Sequence, residues 1–296
     1  MTGQVHLNHQ PVMAETATQW LFTRPGVYVD ATLGNGGHSE RLLLIHEDNR
    51  VVGVDRDPDA LERARERLSS YGDRVFYVHG NFAQLDHLVP SALTPVQGVL
   101  FDLGVSSPQL EDPERGFSYQ HDALLDMRMN PEGERTAFRL VNMADKAELT
   151  HIIRDYGEER WASRIADFIV TMRRREPIRT TGQLVDVIKA AIPAASRRTG
   201  GHPARRTFQA LRMWVNEEPE SLDQGLEQAL TISAPGGRIA VLSYHSLEDR
   251  AVKQRFRLWQ DSNSGSILTK KPLVADEAEV RRNARSRSAK LRVFQH

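Results

Sequence analysis

Apolar residues in the first hundred positions fall into short runs rich in β-branched side chains, and each run ends at a polar residue. These runs predict strands at residues 27–30, 50–55, 74–79 and 96–103. Asp57 and Pro58 follow the second run and are typical of a helix start, and Leu61, Ala64 and Leu68 mark one face of that helix. Strands that alternate with helices indicate a parallel sheet covered on both faces.

After the fourth run, the apolar residues recur at helical spacing. Two stripes predict helices that face a core: Trp161, Ile165, Phe168, Ile169 and Met172, and then Leu184, Val187, Ile188, Ala191 and Ile192. We therefore expect a helical insertion at residues 112–204, which separates two parts of a sheet domain at residues 1–111 and 205–296. The later pattern predicts a helix through 222–230, a turn at 234–237, a strand at 238–243, and two last strands at 266–274 and 288–295.

A loop dense in glycine follows the first predicted strand and reads Asp30-Ala-Thr-Leu-Gly34-Asn-Gly-Gly-His38. Glycine lets the backbone bend sharply and approach a ligand closely, and the helix start behind the loop offers unpaired N–H groups. Asp55 ends the second predicted strand 21 residues after Gly34, which suits an acid that hydrogen-bonds ribose hydroxyls. The pattern predicts a nucleoside-cofactor site, although a tight strand-to-helix turn alone would also need such glycines.

The details of this loop favour one cofactor over another. A dinucleotide fingerprint that begins at Gly34 needs a third glycine at position 39, where Ser39 stands, and the third glycine instead follows the second directly. Asp30 would repel the pyrophosphate of NAD. S-adenosyl-L-methionine has no phosphate, and its sulfonium and ammonium groups are cations that a carboxylate suits. The loop therefore favours S-adenosyl-L-methionine.

Composition excludes several classes of protein. The chain has 296 residues, 40% of them apolar, and no cysteine, so disulfides and thiolate metal sites are excluded. No run approaches the roughly 18 apolar residues of a membrane span, and the first residues lack the layout of a signal peptide. We expect a soluble cytoplasmic protein that binds no membrane. No His/Asp/Glu cluster has convincing ligand spacing, so we also expect no metal.

The net charge of zero hides an uneven distribution. Residues 171–212 hold ten Lys/Arg against two Asp/Glu, and residues 270–296 hold eight against three, whereas residues 1–170 hold sixteen against twenty-six. Basic segments on an acidic body indicate a contact with a polyanion, although solvated helical faces would look the same. The arginines expected to meet phosphates are Arg173, Arg174, Arg175, Arg197, Arg198, Arg205 and Arg206.

A set of motifs spread in order through nearly the whole chain resembles one family. The matching segments are His9-Gln-Pro-Val-Met13, 30–39, Val54-Asp-Arg-Asp-Pro58, 102–110, Glu114-Arg-Gly-Phe-Ser118, Leu125-Asp-Met-Arg-Met129, Tyr156-Gly-Glu-Glu-Arg160, Arg206-Thr-Phe-Gln-Ala210, 234–237, Ser243-Tyr-His-Ser-Leu-Glu-Asp-Arg250 and 285–292. They resemble the MraW family of bacterial methyltransferases, which use S-adenosyl-L-methionine to methylate N4 of a cytidine in 16S rRNA. In the small ribosomal subunit this cytidine lies in the decoding centre.

The resemblance implies an α/β fold of class I S-adenosylmethionine-dependent methyltransferases. This fold is a Rossmann-like, mostly parallel sheet with a final antiparallel strand, here with an inserted helical domain that recognises the RNA. It also implies a cofactor site made by Gly36, Gly37, His38, Asp55, Phe82, Asp102 and Gln109. The implied partner is 16S rRNA within the small subunit. The sequence leaves a homodimer open.

The chemistry of N4 methylation suggests a role for the end of the fourth strand. The N4 lone pair is delocalised into the cytosine ring, so acceptors placed against the N4 hydrogens would help it attack the methyl group. Asp102, or a carbonyl or hydroxyl near Ser106 and Ser107, is the candidate acceptor, and the alternative is that Asp102 only holds the cofactor. Tyr244 and His245 follow the fifth strand and are expected to shape the base pocket.

Two other functions stay open at this point. An NAD-dependent oxidoreductase could use a similar sheet, although Asp30 and the misplaced third glycine oppose it. An RNA-binding factor without enzymatic activity would need a silent cofactor site, whereas the glycine loop, Asp55 and Asp102 look intact.

Overall fold

The computed structural model describes residues 11–197 and 201–296, so His9, Gln10 and Arg198 of the sequence analysis lie outside the described residues. The chain divides into two compact units. The first combines the residues up to Gly104 with Glu220–His296, and the second is Val105–Pro219. These limits fall before the expected boundary at 111/112 and after the expected boundary at 204/205.

The first unit contains a mixed sheet. Its strands are β1 (Val27–Asp30), β2 (Arg50–Asp55), β3 (Val75–His79), β4 (Val96–Asp102), β5 (Ser233–Ser243), β6 (Ser266–Ile267), β7 (Leu273–Val274) and β8 (Lys290–Gln295). They lie in the order β3-β2-β1-β4-β5-β8-β6, and β7 also pairs with β8. Strands β1 to β5 are parallel, and β8 runs antiparallel to β5, β6 and β7. The predicted mostly parallel sheet with a final antiparallel strand is confirmed.

The helices divide between the two units. The helices are α1 (Ala14–Leu21), α2 (Gly37–Ile45), α3 (Pro58–Leu68), α4 (Leu85–Leu88), α5 (Ser107–Glu111), α6 (Ala137–Met143), α7 (Lys146–Asp155), α8 (Ala162–Arg173), α9 (Thr181–Ala191), α10 (Ala194–Arg197), α11 (Arg205–Val215), α12 (Glu218–Ile232), α13 (Ser246–Asp261) and α14 (Glu277–Arg282). The seven from α5 to α11 belong to the second unit, and those of the first unit cover the sheet. Helix α3 begins as its sequence predicts, because the Asp57 side chain accepts from the Asp59 N–H and Pro58 takes the first helical position.

Alternate strand residues point to opposite faces of the sheet, and helices bury both faces. One face packs under α1, α2 and α3, with Tyr28, Leu100, Leu21, Leu42 and Leu61 in one apolar cluster. The other packs under α4, α12 and α13, with Val29, Val99, Leu85, Leu226 and Phe256 in a second cluster. The near-continuous apolar runs of the strands follow from this double burial.

The turn expected at residues 234–237 is a bulge inside β5. Ser233 pairs with Val96 of β4, and the next pair is Gly98 with Arg238. Between these two pairs β5 has more residues than β4, and the extra residues bulge out of the sheet. Gly236 has φ +80° there, a backbone conformation that favours glycine.

The second unit has its own apolar core. Ile165, Ile169, Leu184 and Ile188 are fully buried in it, as the stripes predict, whereas Met172 is 46% exposed and does not face a core within the described residues. Helix α11, which the expected boundary assigned to the sheet domain, contributes Phe208, Leu211 and Val215 to this core. In neither unit does any described helix combine the length and apolar character that a membrane crossing needs.

Candidate cofactor and active site

Three acids of the first unit end neighbouring strands at one edge of the sheet. Asp30 ends β1, Asp55 ends β2 and Asp102 ends β4. Strand β1 lies between β2 and β4, and the chain order reverses direction at β1 and β4. In open α/β sheets the carboxyl ends of the strands at such a reversal form the crevice that binds ligands.

Backbone hydrogen bonds fix the glycine loop to this edge. Leu33 donates its N–H to the Val54 carbonyl at 2.9 Å, so the loop follows the end of β2. Gly36 caps α2 with φ +74°, and a Cβ there would stand 2.9 Å from Leu68 Cδ1. Gly37 opens α2, and a Cβ on it would stand 2.8 Å from Pro11 Cγ. Both glycines are therefore required by close packing of the loop, and Gly36 also by its backbone conformation.

Asp55 presents a carboxylate that is oriented by two backbone donors. The Gly34 N–H donates to Oδ2 at 2.7 Å, and the Asp57 N–H donates to Oδ1 at 2.9 Å. Burial raises the pKa of Asp55 to about 6, although both of these hydrogen bonds oppose the shift. Each oxygen keeps lone pairs for a further donor, so the group is fixed and able to accept from a hydroxyl pair.

His38 and Asp30 are two buried polar side chains beside the loop. Asp30 is fully buried and its Oδ2 accepts from the Ser39 hydroxyl at 2.7 Å. Burial raises the pKa of Asp30, against the opposing effects of the His38 charge and the Ser39 hydrogen bond. Burial lowers the pKa of His38, but its hydrogen bond to Asp102 and the charges of Asp102 and Asp30 outweigh burial and raise that pKa. Among the described residues, His38 Nδ1 has no hydrogen-bond partner.

Asp102 is held on both carboxylate oxygens. His38 Nε2 lies 3.3 Å from Oδ2, and the Tyr244 hydroxyl donates to Oδ1 at 2.5 Å. The backbone N–H of Asp102 donates to the Thr32 hydroxyl at 2.6 Å. The side chain remains 25% exposed. Sequence reasoning missed the contacts of Thr32 and Tyr244 with Asp102, because nothing in the local pattern links residues that far apart.

Phe82 lies just after β3, at the same edge as Asp55. Its ring stands edge-on to Phe101 with ring centres 5.5 Å apart, and the Arg56 guanidinium lies 5.8 Å from its centre. Helix α12 passes so close that a Cβ at Gly225 would stand 2.6 Å from Phe82 Cδ2. The position of Phe82 therefore depends on a glycine far away in sequence.

The resemblance implies that Phe82 contacts the cofactor, and on that prediction changing Gly225 to alanine is expected to displace the Phe82 ring and to weaken cofactor binding several-fold. Overpacking costs about 1–3 kcal/mol, and the better helix propensity of alanine offsets about 1 kcal/mol, so the fold is expected to survive. Calorimetric titration with S-adenosylhomocysteine measures the effect. Gln224→Ala, on the exposed face of the same helix, is the matched control. Equal affinities for the two variants would show that the contact between Gly225 and Phe82 does not affect cofactor binding.

Gln109 belongs to the second unit and takes part in a helix start. Its Oε1 accepts from the Ser106 N–H at 3.0 Å, and the Ser106 hydroxyl accepts from the Gln109 N–H at 3.4 Å. This reciprocal arrangement is the capping box of α5, and the Ser-x-x-Gln pattern could have been read from the sequence. The assignment of Gln109 to the cofactor stays a prediction. Ser107 Oγ is buried and has no hydrogen-bond partner among the described residues.

His245 caps α13, and Glu248 completes the cap. His245 Nδ1 accepts from the Glu248 N–H at 3.4 Å, and Glu248 Oε2 accepts from the Tyr244 N–H at 2.8 Å. This cap occupies His245, whereas the Tyr244 side chain turns to Asp102. Shaping of the base pocket by these two residues stays a prediction.

The groups at this edge suit S-adenosyl-L-methionine. Gly36, Gly37, His38, Asp55, Phe82 and Asp102 all lie at the carboxyl edge of the sheet in the first unit, and their contact with the cofactor stays a prediction. The carboxylates of Asp55 and Asp102 keep acceptor capacity for hydroxyl donors and suit a cation, whereas a phosphate would be repelled; Asp30 is fully buried. A sheet of this strand order, with an antiparallel strand beside β5 and acids at these ends, defines the class: a Rossmann-like, class I methyltransferase.

The chain belongs to the MraW methylase family, whose sequence profile matches residues 6–296. It is 50% identical over 303 residues to ribosomal RNA small subunit methyltransferase H of Symbiobacterium thermophilum, covering 96% of this chain and 95% of that protein. The protein of the same name from Thermobifida fusca is 49% identical, with 96% and 92% covered. Among solved structures, an rRNA methylase from Streptococcus thermophilus matches with a TM-score of 0.44, 14% identity, and coverage of 95% and 92%.

Proposed function

We propose that this protein methylates N4 of a cytidine in the small-subunit rRNA, with S-adenosyl-L-methionine as the methyl donor. The observation that carries the proposal is the row of acids Asp30, Asp55 and Asp102 at the reversal point of the sheet. The names of relatives 49–50% identical over almost the whole chain support the substrate. The enzyme would act in the cytoplasm, where ribosomal subunits are found. The absence of a metal stays a prediction, and a homodimer stays open.

Each group at the carboxyl edge would have a separate task in holding the donor, which supplies an electrophilic methyl group on a sulfonium. Asp55 would accept from the two ribose hydroxyls, because its oxygens are already oriented by Gly34 and Asp57. Phe82 would contact the adenine, and Gly36, Gly37 and His38 would line the loop beside the donor. Gln109 stays a further cofactor contact that the resemblance implies.

Asp102 would accept a hydrogen bond from N4 of the target base. Its carboxylate is partly exposed and held on both oxygens, so it can accept a hydrogen bond from an N4 hydrogen. This hydrogen bond favours a pyramidal N4, whose lone pair can attack the methyl group. A bond forms between N4 and the methyl carbon, and the carbon–sulfur bond breaks with its electron pair going to sulfur. One N4 proton then leaves through Asp102 to solvent. Alignment of the two substrates can remove roughly 7–11 kcal/mol of the barrier.

The basic helix ends of the second unit would bind RNA phosphates. Arg173 and Arg174 close α8, Arg197 ends α10, and Arg205 and Arg206 begin α11. Arg173 also donates to the Val141 carbonyl at 2.8 Å, and Arg206 donates to the Glu158 carbonyl at 3.0 Å, so these two guanidinium groups are partly fixed by the fold. Arg174 and Arg175 are exposed, so their charge is available to a polyanion.

Replacing both Arg174 and Arg175 with alanine is expected to weaken RNA binding and to make it less sensitive to salt. Loss of two phosphate contacts lowers the slope of log K against log salt by about 1.4–1.8. Filter binding of a small-subunit rRNA fragment at several salt concentrations measures the slope. The control pair, Arg24→Ala with Arg50→Ala, removes the same charge at the amino ends of β1 and β2. An equal slope for both pairs would argue against these arginines as the RNA contact.

Methylation of small ribosomal subunits tests the proposed function directly. The protein and labelled S-adenosyl-L-methionine are incubated with subunits from a strain that lacks this enzyme, and the label is mapped to the modified nucleotide. Label on a cytosine N4 is the expected result. Cofactor binding without label on any cytosine would overturn the proposal, and RNA binding without cofactor binding would favour a factor that has no enzymatic activity.

A further inference from the structure

Tyr244 occupies a fixed position beside the candidate catalytic acid. It follows β5 directly, and β5 pairs with β4, where Asp102 lies opposite Leu242. Its backbone N–H donates to Glu248 Oε2 at 2.8 Å, so the cap of α13 holds the residue from behind. Its hydroxyl then donates to Asp102 Oδ1 at 2.5 Å. Hydrogen bonds therefore hold both the backbone and the hydroxyl of Tyr244.

The contacts of Asp102 leave one orientation for its carboxylate. Torsion about the bond between Cβ and the carboxylate of an aspartate is soft, so the acceptor direction is not fixed by the side chain itself. Here His38 lies against Oδ2 and Tyr244 donates to Oδ1, while Thr32 accepts from the backbone of the same residue. Each oxygen still has acceptor capacity for a substrate hydrogen. These contacts turn Asp102 into an acceptor of defined direction.

We propose that Tyr244 is a positioning residue for methyl transfer, which holds the Asp102 carboxylate in the direction that accepts from N4. This inference rests on the proposed function, because it concerns the acid assigned to that reaction. Without the phenol hydroxyl, Oδ1 loses its strongest partner and the carboxylate can rotate. A misdirected acceptor slows the reaction while the donor still binds.

Tyr28 shows what a purely structural tyrosine of the same unit looks like. Its side chain is fully buried, and its hydroxyl donates to the Arg24 carbonyl at 2.7 Å and accepts from the Thr23 N–H at 3.1 Å. Both of these hydroxyl contacts are with backbone groups of the segment that precedes β1. Tyr244 instead donates to a side chain at the carboxyl edge of the sheet. The two residues therefore offer a matched pair of Tyr→Phe variants.

The kinetic test compares Tyr244→Phe with Tyr28→Phe in single turnovers on small subunits. Tyr244→Phe is expected to lower the saturated rate of methyl transfer roughly 10- to 100-fold, with the Kd for S-adenosylhomocysteine unchanged. Tyr28→Phe is expected to leave the rate unchanged, whatever it does to stability. In a double-mutant cycle, Tyr244→Phe is expected to add little to Asp102→Asn, because it acts through that carboxylate.

A second readout needs no activity and uses the unliganded protein. Burial, the charge of Asp102 and the hydrogen bond to it raise the pKa of Tyr244 well above its usual range, with Glu248 adding to this and Arg285 opposing it. The phenolate absorbance is followed in an alkaline titration of the unaltered protein and of Asp102→Asn, each with and without Tyr244→Phe. The difference between the curves with and without Tyr244→Phe gives the titration of the Tyr244 phenol alone. Its ionisation is expected at lower pH in Asp102→Asn than in the unaltered protein. The same onset in both would overturn the contact.

The outcomes separate the inference from the function on which it rests. A wild-type rate for Tyr244→Phe, or an equal loss in the presence and absence of Asp102→Asn, would overturn the positioning role alone, since the subunits are still labelled. Unlabelled subunits with the unaltered protein would overturn the proposed function and the positioning role together. A raised Kd with an unchanged saturated rate would assign Tyr244 to cofactor binding instead.

Discussion

Asp102→Asn is expected to lower the saturated rate of methyl transfer about 100- to 10,000-fold, the range that a positioned acid or base contributes. Asparagine keeps the shape of the side chain and an oxygen for the Tyr244 hydroxyl, but it removes the charge and half of the acceptor capacity. The N4 hydrogens would then face a weaker acceptor, and the proton would lack a base. We expect the Kd for S-adenosylhomocysteine to change far less than the rate, because Asp55 and Phe82 are untouched.

Single-turnover labelling of small subunits at saturating cofactor separates the two roles considered for Asp102. If Asp102 only holds the cofactor, the Kd rises and the saturated rate stays near that of the unaltered protein. Asp73→Asn is the control, since Asp73 is exposed and precedes β3, away from the carboxyl edge of the sheet. A saturated rate for Asp102→Asn equal to that of Asp73→Asn would remove Asp102 from the chemistry.

The parts of the fold that local chemistry determines could be predicted from the sequence. Strands β1 and β2 begin and end where the apolar runs do, because each run is buried on both faces and stops at an acid. Helix α3 begins at Pro58 because Asp57 and Pro58 make a cap from adjacent residues. The cofactor edge follows from these strand ends, since parallel strands bring their carboxyl ends together.

The contacts that complete the site depend on the order of the strands, which no local pattern contains. Tyr244 meets Asp102 only because β5 lies beside β4. Gly225 limits the position of Phe82 only because α12 packs on that face of the sheet. Likewise, the first residues after the insertion were expected to rejoin the sheet domain, but the apolar side chains of α11 are buried in the second unit. Helical spacing shows that such a stripe is buried, but not against which partner.

Asp55→Asn is expected to raise the Kd for S-adenosylhomocysteine about 10- to 100-fold, because it removes one of the two acceptor oxygens and a hydrogen bond to a charged acceptor contributes about 1.5–3 kcal/mol. The ionised carboxylate is nevertheless unfavourable for the empty protein. Its pKa is about 6 in the folded chain, because of burial, and about 3.9 when unfolded. The free energy of unfolding therefore increases as the pH falls from about 6 to about 4, and it decreases by about 3 kcal/mol as the pH rises through the same range.

Asparagine avoids that loss but leaves one backbone N–H, of Gly34 or of Asp57, with a donor in place of its acceptor, at a cost of about 1–3 kcal/mol. The two effects are similar in size, so the Tm of the empty variant at neutral pH is expected to stay close to that of the unaltered protein. The charged carboxylate of Asp55 therefore lowers the stability of the folded protein about as much as asparagine would, although only the carboxylate is expected to bind the ribose well.

Calorimetric titrations with S-adenosylhomocysteine across the acid range test this assignment. For the unaltered protein the Kd is expected to rise about tenfold per pH unit below about 6, as Asp55 takes up its proton. Asp55→Asn is expected to show weak binding with less pH dependence. Since His38 and Asp30 also have raised pKa values, the difference between the two curves isolates Asp55. Parallel curves, or an affinity equal to that of Asp73→Asn, would show that Asp55 does not bind the ribose hydroxyls.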